Sequence, residues 1–343
     1  MTLQVCMLDA SSKSSWDDYV EHADGATFFH RAGWKEVLER AFGHKTFFLY
    51  TQEGGKITGV LPLAYVRSLL FGNSLSSLPF CVYGGIVADS AEASAALRQE
   101  ACRLADKHGV GALELRNRGQ SSSSWPVKEL YFTFRKRIEP DDDANLKAIP
   151  NRQRAMVRKG IKEGLHSEWD DQVERLYRVY SESVRNLGTP VFSKKYFSIL
   201  QEVFGESCSI LMITHEGKDV AGVLNFYFRD EVLPYYGGST SESRYIKGVN
   251  HYMYWELMRH SREQGCQVFD FGRSKEGTGP FSFKKHYGFD PQPLPYEYYL
   301  VKSDTLPDLN PLNPKYAMMI NIWSKLPLPV ANFVGPFLAR SLG

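Results

Sequence analysis

A chain of 343 residues is too long for one small domain and predicts two, at about 100–200 residues per domain. With 43% hydrophobic, 13% aromatic and 23% charged residues it has the apolar content of a globular protein, which excludes intrinsic disorder and fibrous classes. A net charge of +2 demands no polyanionic partner, although a local basic patch is compatible with one.

Met1 to Ala10 contains Asp9 and has neither a basic segment nor a long apolar run, so it does not read as a secretory signal. The five cysteines, Cys6, Cys81, Cys102, Cys208 and Cys266, are widely spaced, with no Cys-x-x-Cys pair and no zinc-like histidine spacing. Together these features predict a cytoplasmic protein with no disulfide framework, no metal and no bound cofactor. No run of about 20 apolar residues predicts a membrane span.

In chain order, Trp34 to Gly43 (WKEVLERAFG) predicts a helix stopped by glycine. An antiparallel hairpin follows, FFLYTQEGGKITGVLPLAYV, then Tyr83-Gly84-Gly85, an amphipathic helix ending at Gly109 and the apolar strand Ala112 to Arg116. The second half repeats the order: Tyr196 to Gly205, the hairpin SILMITHEGKDVAGVLNFYF, Tyr236-Gly237-Gly238, a helix ending at Gly265 and the strand Val268 to Gly272, with Asp270 opposite Glu114. Five elements recurring in order predict a duplicated α+β module, helices against a mixed and mostly antiparallel sheet, whose order suits a GNAT-type acyltransferase. The polar stretch Glu139 to Pro150 reads as a linker or a loop within one domain. The resulting division is an N-terminal domain at 1–145, a C-terminal domain with the cleft at 146–302 and an apolar tail at 303–343.

Asn151 to Leu165 (NRQRAMVRKGIKEGL) concentrates Arg152, Arg154, Arg158, Lys159 and Lys162 on a predicted helix. Such density suits a nucleic-acid backbone, an anionic membrane surface or a diphosphate; a solvated helix face beside the acidic linker accounts for it equally. Tyr235 and Tyr236 stand at a strand end, where they suit either a ligand or the core.

Phe269 to Pro291 (FDFGRSKEGTGPFSFKKHYGFDP) runs from a buried strand into a glycine-rich loop, a common setting for an active site. Gly277 and Gly279 permit close backbone approach to an anion or oxyanion, or simply form a turn. Lys284, beside Phe283, suits stabilisation of negative charge on an attacked carbonyl, though a lysine on a turn is also commonly solvated. Asp270 suits a base or a partner of Arg273. No His-Glu-x-x-His, Walker loop or Gly-x-Ser-x-Gly elbow is present. From Tyr316 onwards the tail is strongly apolar, with Trp323 and helix-breaking Pro327, Pro329 and Pro336, which suits a membrane interface or packing across the domains.

The duplicated halves together with FDFGRSKEGTG, FSFKKHYGFDPQPLPY and RNLGTPVFSKKYF resemble the FemAB-type proteins. With LPYYGG, YWELM and LNPLNPKY the chain more closely resembles the FemAB-like proteins of exosortase/PEP-CTERM systems. The resemblance spans almost the whole chain. It implies tandem GNAT-like domains and transfer of an amino acid from aminoacyl-tRNA to an amine of an envelope or exopolysaccharide precursor. It also implies that Phe283-Lys284 matches a Phe-Lys pair near the activated ester, with the lysine stabilising the tetrahedral intermediate; at the strand end beside it, Arg273 is placed to orient the donor. Acetyl-CoA is disfavoured, because SRYIKGVNHYMYW carries only Gly248 where a pyrophosphate loop would need more glycines. A CoA-dependent N-acyltransferase acting on an amino sugar and a non-catalytic binding protein at the membrane face are the alternatives.

Overall fold

The computed structural model describes residues 2–68, 72–119, 124–302, 304–306 and 314–342. The first half supplies β1 (Gln4–Met7), α1 (Lys13–His22), α2 (Gly33–Phe42), β2 (Lys45–Glu53), β3 (Lys56–Ser68), β4 (Gly72–Ser77), β5 (Val87–Ala88), α3 (Ala91–His108), β6 (Ala112–Arg116) and β7 (Val127–Arg137). Then come α4 (Asp142–Ala148), α5 (Asn151–Lys162), β8 (His166–Asp170), α6 (Val173–Asn186), α7 (Lys194–Phe204), β9 (Cys208–His215), β10 (Lys218–Phe228) and β11 (Glu231–Ser239). The chain continues through α8 (Val249–Glu263), β12 (Val268–Asp270), β13 (Ser274–Lys275), α9 (Gly279–His286), β14 (Pro291–Leu300), α10 (Pro314–Ser324) and α11 (Leu328–Ala339).

Local chemistry fixes these elements as expected. α2 turns Trp34, Val37, Leu38 and Phe42 inward and stops where Gly43 takes φ +66°, a left-handed conformation that costs glycine little. Ser90 and Ser193 cap α3 and α7 by accepting from the backbone N–H three residues on. The polar stretch read as a linker is instead structured: Asp141 caps α4, and the buried Asn145 side chain bonds the backbone of Glu139.

Two compact units result, one formed by 1–131, 293–309 and 340–343, the other by 132–292 and 310–339. They differ from a division at 145/146 because each set of strands takes in one from outside its own half of the sequence. In the first unit β1, β2, β3 and β4 run antiparallel, β4 lies parallel to β6, and β6 pairs antiparallel with β14. In the second, β8, β9, β10 and β11 run antiparallel, β11 lies parallel to β12, and β12 pairs antiparallel with β7. The tail is no separate unit, since 310–339 belong to the second. Leu61, Leu97, Leu104 and Leu113 anchor the first core; Phe134, Val223, Leu257 and Phe269 anchor the second.

Candidate active site

In the second unit, the parallel strands β11 and β12 pair only at Glu231↔Val268 and Val232↔Phe269 and then part. The bulge that leaves Tyr235 unmatched between Leu224↔Tyr236 and Asn225↔Pro234 bends β11 where the gap opens. A cavity of about 260 Å³ fills this region, lined by Gly237, Gly238 and Ser239 of β11, by Asn250, Met253 and Tyr254 of α8, and by Phe283 and Lys284 of α9. Glycine is required at 238, because a Cβ there would lie 2.7 Å from Ser183 Cβ on α6.

Lys284 reaches this cavity because of how α9 is built. Thr278 caps the helix, Pro280 sits in its first turn, and buried Phe281 packs edge-on against Phe132 and Phe134. The next turn carries Phe283 against Tyr254 and Phe271. Lys284 Nζ donates to the carbonyls of Phe271 at 2.6 Å, Gly272 at 3.0 Å and Arg273 at 3.2 Å. It also lies 5.5 Å from the Phe134 ring centroid and 5.8 Å from that of Phe271. Burial pulls its pKa down to about 7; the Asp270 charge opposes this fall and the Arg273 charge adds to it. Part of the side chain remains accessible, but the charged atom is held among carbonyls and rings. A cation of this kind exists in both protonation states near neutral pH.

Asp270 is fully buried, and both of its oxygens are engaged. Arg135 donates to Oδ2 at 2.8 Å, while Thr133 and the Gly272 N–H donate to Oδ1 at 3.2 and 2.7 Å. Arg135 also pairs with Glu231, so the carboxylate ties β12 to β7 and acts on Lys284 only through its field. It does not line the cavity. Arg273 contributes its carbonyl to Lys284 rather than a side chain to the cavity wall. Gly279 opens α9 at the cavity rim, whereas Gly277, at φ +78°, only turns the loop.

Tyr236 is a core residue: its hydroxyl bonds Tyr196 at 2.7 Å, and Phe192 and Phe197 surround its ring. Tyr235 packs on Phe226 and Tyr236. Neither lines the cavity, because the bulge turns these rings into the packing layer. Arg152 and Arg158 are exposed on α5, away from the cavity lining, while Val157 and Gly160 pack that helix onto α8. Sequence reasoning missed Tyr254, Asn250, Ser239 and Ser183. The first two stand one turn apart on α8, a spacing that points both at one face. Burial pushes the Tyr254 pKa up to about 12, so it is a neutral phenol beside Gly237.

A model of the acetyltransferase (GNAT) domain matches residues 151–285. The crystal structure of FemX covers 92% of this chain and 100% of its own at 15% identity, with a TM-score of 0.70. The Lipid II:glycine glycyltransferase of Staphylococcus saprophyticus is 23% identical over 158 residues. The chain is thus similar to FemX-type proteins, a likeness that at these identities shows the fold. The glycyltransferase match spans 44% of this chain and 37% of that relative's length. A tandem GNAT protein from the clavulanic acid biosynthesis pathway also superposes, with a TM-score of 0.56 and 13% identity over 89% of this chain and 100% of that one. Tandem GNAT-like architecture agrees with the duplication expected from the sequence. The LNPLNPKY stretch lies largely outside the described residues.

Proposed function

We propose that the second unit transfers an aminoacyl group from an ester donor, aminoacyl-tRNA, to an amine on an envelope or exopolysaccharide precursor. The observation that carries this reading is a buried ammonium at the wall of a cavity between splayed strands. The acceptor nitrogen attacks the ester carbonyl, whose π electrons move onto oxygen. Collapse then breaks the carbon–oxygen bond to the ribose, which takes up the proton that the amine releases. Lys284 stabilises the oxyanion, and the contact an oxyanion replaces is its longest, the 3.2 Å bond to the Arg273 carbonyl. On the side facing β12, β11 has no strand partner beyond Val232 among the described residues, which leaves a gap of the kind an extended substrate fits.

Arg152 and Arg158 hold donor phosphates on the exposed face of α5 in this reading. Acetyl-CoA is the weaker candidate. The α8 start at Gly248, φ +80°, is approached so closely by the Met156 carbonyl of α5 that no side chain fits there. That crowding disfavours a pyrophosphate loop. No helix among the described residues is long and apolar enough to cross a membrane. The cytoplasm, where charged tRNA is made, is the proposed compartment, and an exosortase-linked acceptor is the proposed context.

The test uses purified protein, radiolabelled aminoacyl-tRNA and acetyl-CoA. Binding of charged tRNA whose log–log salt slope falls by about one for each of Arg152→Ala and Arg158→Ala supports the reading. Micromolar acetyl-CoA binding by calorimetry, with no tRNA bound, replaces it with CoA-dependent N-acylation.

A further inference from the structure

Of the large hydrophobic side chains exposed among the described residues, more than half belong to α10, α11 and the residues just after them. α11 inverts the usual arrangement of a surface helix. Its small residues Ala331, Gly335 and Ala339 face inward, and Gly335 lies so close to Val191 that a Cβ would sit 3.0 Å from the Val191 nitrogen. Its large residues face out: Phe333 is 74% exposed and Phe337 63%. One turn apart and edge-on, these rings have centroids 6.1 Å from each other. On α10, Met318, Met319 and Ile322 are likewise exposed.

Both helices are docked. Asn332 Nδ2 donates to Ser181 Oγ at 3.3 Å, and Arg185 donates to the Ser324 carbonyl at 3.4 Å, so α6 holds the hairpin from beneath. The outward face is therefore displayed by a fixed scaffold. Ordinary surface helices put their large apolar side chains inward and leave charges outside. Here the segment 314–342 contains no Asp or Glu, and its charged side chains are Lys315, Lys325 and Arg340.

We propose that α10 and α11 form an interfacial anchor that lies in the surface of an anionic lipid bilayer. At 11 and 12 residues neither helix can cross a membrane, so the pair lies in the interface plane with Phe333 and Phe337 among the acyl chains. The exposed Lys325, in a segment without a single carboxylate, suits anionic headgroups. A second copy of this chain would bring like charges together with no acid in the segment to pair them. The anchor is independent of the chemistry at Lys284.

Vesicle flotation of the full chain tests it, comparing phosphatidylcholine vesicles with vesicles containing about 30 mol% phosphatidylglycerol. The wild type floats with the anionic vesicles, and F333S/F337S weakens this ~tenfold or more. Because both rings are exposed, the variant keeps the wild-type melting temperature. Lys325→Glu weakens binding several-fold on anionic vesicles while leaving the apolar face intact. Wild-type protein that stays unbound, or a variant that floats equally well, overturns the proposal. So does a wild-type dimer that F333S/F337S converts to monomer, which would assign the face to a second copy.

Discussion

The two units solve one structural problem in opposite ways. Each contains a parallel strand pair that separates beyond a short register, β4 with β6 and β11 with β12, and each places an acid on the second strand, Glu114 and Asp270. In the first unit Arg116 closes the gap. It pairs with Glu114 at 3.1 Å, donates to the Leu78 and Cys81 carbonyls, and leaves a cavity of about 210 Å³ lined by Arg98, Arg116 and Arg118. The second unit has Gly272 at the matching position, its acid is neutralised by Arg135 from another strand, and the cation arrives from α9, where Lys284 lines the cavity. One copy's cation is thus paired with an acid on its own strand, whereas the other's comes from a helix and is held by backbone carbonyls at the edge of a cavity.

The comparison breaks if the two cations behave alike. Arg116→Met strands the partly buried Glu114 and two carbonyls, so it costs about 3–5 kcal/mol in urea unfolding. Its folded fraction keeps wild-type turnover. Asp270→Asn belongs with it: about 3 kcal/mol of stability is lost by weakening the Arg135 clamp, rather than a general base. An Asp270→Asn protein that melts normally yet is inactive would restore the base. Lys284→Ala lies on the other side of the comparison, losing about 10–1,000-fold in single-turnover rate while staying folded.

Titration sharpens the same contrast. The Lys284 pKa of about 7 lies below its ordinary 10.5, so between these values the unfolded chain holds more protons than the folded one. Stability relative to Lys284→Met therefore rises as pH goes from about 7 towards 10, the reverse of a lysine stabilised by an ion pair. The part of the rate that needs the ammonium is complete below about 7 and declines above it. pH-dependent melts of the two proteins, and a rate profile of the wild type, check both signs. Arg116, a guanidinium, gives no such slope.

Much of this was legible in the sequence for physical reasons. Gly43, Gly109 and the Ser90 cap write helix ends into local residues, and the two hairpins follow from alternating apolar runs bounded by turn residues. Lys284 stood out through its place beside an aromatic after a buried strand, and the family resemblance set it apart from an ordinary solvated lysine. Strand exchange was not, since nothing local in β7 or β14 encodes which sheet accepts it. The paired Tyr-Gly-Gly motifs also misled. Tyr236-Gly237-Gly238 lies within β11, whereas Tyr83-Gly84-Gly85 follows β4 outside any strand, with the Gly85 N–H bonded to the Arg116 carbonyl. Asp270 invited the role of base because its partner Arg135 is 135 residues away, beyond any sequence window.

The smallest expected effect discriminates most finely, because it separates neighbouring glycines on one strand. A Cβ at Gly237 would meet Tyr254 Oη and Val223 Cγ2 at 3.4 Å, ordinary contact distances, so Gly237→Ala leaves stability within ~0.5 kcal/mol. The added methyl faces the cavity and raises the donor KM by about 3–10-fold, roughly 1 kcal/mol of lost fit. At Gly238 the Cβ would meet Ser183 Cβ at 2.7 Å and Tyr180 Cα at 3.1 Å, so α6 itself has to move and Gly238→Ala loses about 1–3 kcal/mol of stability. A donor lying between β11 and β12 makes the first substitution a binding defect and the second a folding defect. If Gly237→Ala leaves KM untouched, the substrate does not occupy the splayed gap, and the difference between the units is one of packing alone.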